Sequence, residues 1–166
     1  VSLLGFSAAA RAQPPAGDSA VASPKIGSAD TLTTATPQLP SIPPVEPPPG
    51  ATPLMVLTQI EQGWRKGEAA EVVGCLASEG IQIELEHAGP PPGRFARPQA
   101  EFLIRDLLHY GDTLDFRLTR FEWKGETPKG QAVWVHRMGT AERTVEVEFE
   151  LAQTAGNWRV VRLTSR

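Results

Sequence analysis

The chain has 166 residues, 21% of them charged and 40% hydrophobic, with a formal net charge of −3 at pH 7. It carries no Lys/Arg run or basic stripe, which leaves a nucleic-acid-binding role without electrostatic support, and no apolar run long enough for a transmembrane segment. Cys75 is the single cysteine, so an intramolecular disulfide is excluded.

Val1 to Ala12 (VSLLGFSAAARA) reads as the second half of a secretory signal, with a short apolar stretch, then small residues, then Ala10-Arg11-Ala12 ahead of Gln13. The positively charged start of a signal is missing, so the sequence starts inside the signal or from a misplaced first residue. The expectation is an exported bacterial protein, periplasmic or secreted. Residues 13 to 51 are crowded with Pro, Ala, Ser and Thr. They are expected to form a disordered Pro-rich spacer, polyproline-like from Pro37 to Pro53, because they bury too little apolar surface to offset their ordering entropy. One folded domain is expected over residues 52–166, which hold all four Trp, the one Tyr and five of the six Phe.

Within that domain, Thr52-Pro53 is a capped helix start. Leu57, Ile60 and Trp64 then form one helical stripe, and Gly67 ends it. A short second helix over 68–76 buries Val72, Val73 and Leu76. Its string Val72-Val73-Gly74-Cys75 is no lipoprotein box, because charged residues rather than a signal core precede it. Ile81, Ile83 and Leu85 alternate with polar residues as a half-buried strand. Gly89 to Gly93 reads as a rigid proline loop. Pro98 opens a third helix to Tyr110, with Ala100, Leu103, Ile104, Leu107 and Leu108 on its buried stripe, and Gly111 is expected to close it as a left-handed cap.

Four consecutive strands follow from Thr113 to Thr164. In the first, Leu114, Phe116 and Leu118 fall on even positions but Phe121 and Trp123 on odd ones. A period-2 pattern that slips by one marks a β-bulge, which bends a strand. A turn is expected from Gly125 to Gly130, then a strand from Gln131 to Met138 that is apolar on both faces. A third strand, Arg143 to Leu151, sets Val145, Val147, Phe149 and Leu151 against Glu146, Glu148 and Glu150. The last runs from Trp158 to Thr164. The fold class is α+β: a curved antiparallel sheet wrapped around N-terminal helices, cone-like and hollow.

This order resembles the nuclear transport factor 2-like superfamily, the cystatin-type α+β cone. The strings Gly63-Trp64-Arg65-Lys66-Gly67-Glu68, Ile81-Gln82-Ile83-Glu84-Leu85, Phe95-Ala96-Arg97-Pro98-Gln99-Ala100, Trp134 through Arg143, and Asn157 through Leu163 carry the likeness further. They resemble an exported bacterial domain-of-unknown-function family known mainly from the Bacteroidota. The resemblance implies a fold and export, and no activity. Nothing matches the Tyr and paired Asp arrangement of the ketosteroid isomerase branch.

The residues able to carry chemistry are few. Trp64, Tyr110, Phe116, Trp123 and Trp134 are candidates to line an apolar hollow. His136, on one strand face with Trp134 and Met138, is the one candidate catalytic base or ligand contact. His87 sits at a strand end beside the proline loop. His109 suits the C-terminal end of its helix. Asp106, Asp112 and Asp115 form no recognisable pair: Asp112 reads as turn chemistry and Asp115 as outward-facing. Three scattered His and one Cys show no metal-ligand spacing, and no cofactor motif is present. Glu146, Glu148 and Glu150 are expected to face Arg159 or Arg162 in a solvated ladder.

The leading expectation is a non-enzymatic binding or interaction module of the cell envelope. It would take a small hydrophobic ligand, or pair as a homodimer through the open sheet face at Val133 or Trp134. The alternatives are an isomerase- or cyclase-type enzyme using His136, and a structural accessory domain.

Overall fold

The computed structural model describes residues 43–86 and 91–166. The expected signal (1–12), the spacer up to residue 42 and His87 lie outside the described residues.

Helix α1 (Pro53–Lys66) starts where hydroxyl and proline coincide. The Thr52 hydroxyl accepts from the Met55 N–H at 3.3 Å, and Gly67 closes the helix at φ 72°. Leu57, Ile60 and Trp64 are buried, as their spacing requires. The short α2 (Ala69–Gly74) adds Val72 and Val73 to the core. Strand β1 (Ile81–Glu84) follows, then β2 (Gly93–Phe95), which pairs antiparallel with β1 from Ile81↔Phe95 to Ile83↔Gly93. The expected proline loop thus ends in a three-residue edge strand, whose Gly and Arg carry little strand preference of their own.

Helix α3 (Arg97–Tyr110) buries Ala100, Ile104 and Leu107, and the Gln99 side chain accepts from the Ala96 N–H at its start. Gly111 follows α3 with φ −92°, not in the left-handed region. Its reason is space: a Cβ there would lie 2.8 Å from the Leu107 carbonyl oxygen and 3.2 Å from Cζ2 of Trp134.

Strands β3 (Asp112–Lys124), β4 (Thr127–Met138), β5 (Ala141–Thr154) and β6 (Asn157–Ser165) are joined antiparallel. The six-stranded sheet has the order β2-β1-β6-β5-β4-β3. It is mixed rather than wholly antiparallel, because β1 runs parallel to β6. The predicted phase slip is a register shift between Leu118 and Arg120; further shifts lie between Thr113 and Asp115 and between Glu150 and Leu151. Together they curve the sheet. The turn expected over Gly125–Gly130 contracts to Gly125 and Glu126. Pro128 is tolerated because β4 pairs with β5 only from Lys129 onward. Gly130 lies so close under α1 that a Cβ would stand 2.6 Å from Cδ1 of Leu57.

Residues 43–51, expected as part of the spacer, lie against the domain as a strap. The Val45 N–H donates to the Ala70 carbonyl at 3.0 Å and the Gln59 amide donates to the Val45 carbonyl at 2.7 Å. Gly74 makes room, since a Cβ there would overlap the Val45 oxygen at 1.8 Å. One oxygen of the Glu46 carboxylate accepts from Arg97, and the other accepts from Arg159 at 2.7 Å. Pro47 and Ala51 are buried as well, so polar and main-chain contacts together with these two apolar residues hold the stretch.

On the outer sheet face, Glu148 and Glu150 pair with Lys129 of β4 at 3.3 and 2.6 Å. Of the expected partners, Arg162 does stand opposite Glu150 in register, while its guanidinium lies 3.7 Å from Glu84; Arg159, set opposite Ala152 beyond the register shift, reaches Glu46. Exposed pairs of this kind contribute about 0–1 kcal/mol each.

Candidate functional site

The inner face of β4 carries Ala132, Trp134 and His136, all buried against the helices, whereas Val133 and Val135 are half-buried on the outer face. Trp134 therefore cannot share an outer-face interface with Val133. Register puts Val133 between Arg117 and Glu146, in charged company.

Beside Trp134 the packing opens into a hollow of about 250 Å³ between α3, β1 and β4. Ile83 and Leu85 form one wall, Leu103, Ile104 and Leu107 a second, and Trp134 and Met138 a third; Asp106 and Tyr110 supply polar atoms. Gly111, also in the lining, brings the end of α3 close to the Trp134 indole: a Cβ there would stand 3.2 Å from its Cζ2.

The expected pocket residues divide into two groups. Trp64 and Phe116 are closed core: their rings stack at 4.8 Å with planes 20° apart, and neither lines the hollow. Trp123 lies at the other end of β3, half-exposed and edge-on to Trp158 at 5.5 Å. Trp134 and Tyr110 do line the hollow, Tyr110 with 69% of its surface exposed. The Trp134 indole N–H donates to the Thr113 hydroxyl at 3.1 Å, which fixes its orientation.

His136 is 1% exposed and stacks on Trp134 with ring centroids 3.9 Å apart. Neither ring nitrogen has a hydrogen-bond partner among the described residues. Burial, with the Arg143 guanidinium as a lesser cause, pushes its pKa below the usual histidine range. The group is thus a neutral imidazole near pH 7.

His109 packs edge-on to Tyr110 at 4.8 Å. Asp112 is the first residue of β3, 3.6 Å from Arg137, rather than a turn residue. Asp115 faces outward, opposite Val135. Cys75 is buried, its thiol facing the carbonyls of Glu71 at 3.4 Å and Val56 at 3.6 Å, and burial pushes its pKa up to about 12. Among the described residues no group of three or more His, Cys, Asp or Glu stands close enough to hold a metal, and no helix is long and apolar enough to cross a membrane.

Ile83, Leu85, Leu103 and Met138 were missed as wall residues. Their apolar spacing marked the first three as buried, but spacing does not report a gap between two packed surfaces.

No protein-family profile and no curated protein sequence matches the chain. Solved structures do. A DUF4783 family protein from Bacteroides uniformis superposes with a TM-score of 0.56 at 8% identity, over 65% of this chain and 93% of that one. A DUF4783 family protein from Bacteroides fragilis gives 0.55 at 10% identity, over 64% and 93%. An NTF-2 like protein of unknown function from Shewanella oneidensis gives 0.52 at 9% identity, over 68% and 93%. At these identities the likeness concerns the fold alone. With its curved, unclosed mixed sheet and its helices on one side, the chain has the nuclear transport factor 2-like fold.

Proposed function

We propose that the chain is an exported, non-enzymatic binding module that takes a small apolar molecule into the hollow between α3, β1 and β4. The observation that carries this reading is the hollow itself. Its walls come from three elements and are almost entirely apolar, yet it stays open beside a closed aromatic core. Small-molecule sites have this concave, mostly apolar character, and Tyr110 and Met138 in its lining are solvent-exposed, so an apolar molecule can enter it. At the ~30 Å³ that a water molecule occupies in the liquid, it admits roughly eight non-hydrogen atoms.

The same geometry favours binding over proton transfer. A general base must come within hydrogen-bond reach of a substrate proton. His136 is covered, and the polar atoms that Asp106 and Tyr110 bring to the hollow form no paired acid and base. Export rests on the Val1–Ala12 pattern.

Native mass spectrometry of the full chain, with thermal shifts against a panel of small arenes and alkanes, tests the reading. We expect a retained or added mass that stabilises the fold, and its loss in Leu103→Trp, which fills the hollow from a half-buried position. Absence of both a bound mass and any stabilising probe overturns it. Recovery of a mature chain starting at Gln13 from the exported fraction tests the location.

A further inference from the structure

The stripe that α3 turns towards the hollow is apolar with one interruption. Leu103, Asp106, Leu107 and Tyr110 recur at spacings of three and four, so they share one face of the helix, and all four line the hollow. Asp106 is the one charged side chain in that lining. It is half-buried. A single methylene joins its carboxylate to the helix, so the charge cannot swing far from the rim.

No group of the fold meets this charge. Among the described residues, no hydrogen bond or ion pair engages the Asp106 carboxylate. The Arg and Lys side chains of the three elements around the hollow are committed elsewhere. On α3, Arg97 is held by Glu46 and Arg105 lies 2.6 Å from Glu101. On β4, Lys129 pairs with Glu148 and Glu150, and Arg137 lies 3.6 Å from Asp112. β1 carries no cation. His109, three residues on from Asp106, packs edge-on to Tyr110, and the Trp134 N–H is bonded to the Thr113 hydroxyl.

A carboxylate at the edge of an apolar surface gives up part of its hydration, and a cation bearing N–H donors restores the most. An ammonium head donates hydrogen bonds to the carboxylate, and its charge is also attracted to aromatic ring faces, which Trp134 and Tyr110 bring to the same lining. A neutral hydroxyl supplies the hydrogen bond alone, and an anion is repelled. The volume of about 250 Å³ leaves room behind the head for one ring, at roughly eight non-hydrogen atoms in all.

We infer that the ligand of this hollow is a small primary amine with an apolar body, such as an arylmethylamine, whose ammonium pairs with Asp106 at the rim. The inference rests on the binding reading above and adds the charged end of the ligand.

The test uses two probes of matching shape, benzylamine and ethylbenzene, titrated into the full chain and into Asp106→Asn, which keeps the side-chain shape and removes the charge. The quantity read is the ratio of the two affinities, amine over hydrocarbon, which cancels the common apolar contribution. We expect this ratio to be at least about tenfold higher in the unmodified chain than in the variant, the size of one hydrogen bond to a charged group at a partly wetted site. Added salt should weaken benzylamine and not ethylbenzene. In the unmodified chain, the Asp106 carboxyl carbon should titrate at lower pH with benzylamine bound, because an opposite charge favours the ionised form. That measurement decides the matter by itself if Asp106→Asn does not fold. An unchanged ratio, an unmoved titration or binding of ethylbenzene alone overturns the inference while the binding reading stands. If neither probe binds, both fall.

Discussion

The imidazole of His136 and the indole of Trp134 lie face to face, with centroids 3.9 Å apart and planes within 25°. Trp134 in turn meets Trp64 edge-on at 5.6 Å, so a run of rings leads from the sealed core to the wall of the hollow. Protonating His136 would place a cation in this stack beside the Arg143 guanidinium and away from water, which is why its pKa is depressed. In the unfolded chain the group takes its proton near the ordinary value of 6.5. Its contribution to stability is therefore intact above about pH 6.5 and is lost as the pH falls from there towards the lower folded value. Urea unfolding across a pH series should show the midpoint dropping on acidification, and His136→Phe should remove that part of the slope. Parallel curves for the two proteins would refute the assignment.

Trp64 and Tyr110 were expected to serve the same pocket, and the structure separates them. Trp64→Ala removes a fully buried ring stacked on Phe116 and should cost about 3–5 kcal/mol in chemical denaturation. Tyr110→Ala, at an exposed edge, should change stability by less than about 0.5 kcal/mol while altering occupancy of the hollow. Similar losses for both variants would mean that Tyr110 packs more deeply than the fold shows.

Cys75 should be chemically silent in the native state. With a pKa pushed up to about 12 by burial, its thiolate fraction at pH 8 is negligible, and thiol reagents should label it only on unfolding. The unfolded thiol ionises near 9.0. Its share of stability is complete below that pH and declines as the pH rises from about 9 towards 12. Rapid native labelling at neutral pH would contradict this.

Glu46 should matter more than its place in a proline run suggests. Glu46→Ala leaves Arg97 and Arg159 without their shared carboxylate, and both guanidiniums are partly buried. We expect a loss of about 1–3 kcal/mol, with faster exchange of the Val45 amide hydrogen while the α3 core amides keep their order of protection. Unchanged exchange at Val45 would show that main-chain bonds alone hold the strap.

Gly111→Ala probes the joint between α3 and Trp134. The added methyl meets the Leu107 carbonyl and the indole, so the helix end and the indole must move apart. The expected cost is about 1–3 kcal/mol, together with weaker binding of any probe. Full stability with unaltered binding would show that the strand end yields instead.

Much of the architecture was legible because it follows from periodicity. The stripe Leu57–Ile60–Trp64, the Thr52-Pro53 cap and the slip between Leu118 and Phe121 all identified their elements, since each reflects a local rule. β2 was not legible, because Gly93, Arg94 and Phe95 are strand only by virtue of Ile81–Ile83 alongside. Nor was the parallel pairing of β1 with β6, which joins residues about eighty positions apart. At the site, the alternation of β4 placed Trp134 and His136 on one face but could not say which face met the helices. That choice depends on Phe116, Phe149 and Trp64 closing together, a property of the assembled core.

The strap over α2 bears on how composition should be read. Proline has already surrendered its φ freedom, so a polyproline stretch gives up little by lying down on a surface, and it needs few contacts in return. The hydrogen bonds of Val45 to the Ala70 carbonyl and the Gln59 side chain, one carboxylate held between two arginines, and the burial of Pro47 and Ala51 hold residues 43–51. Low hydrophobicity forecasts disorder when folding must be driven by oil-like burial; it loses that meaning where the chain is stiff beforehand and recognition is written in backbone and charge. The domain's working boundary therefore falls at least nine residues before its first helix, and an expression product trimmed at Thr52 would lack part of its own surface.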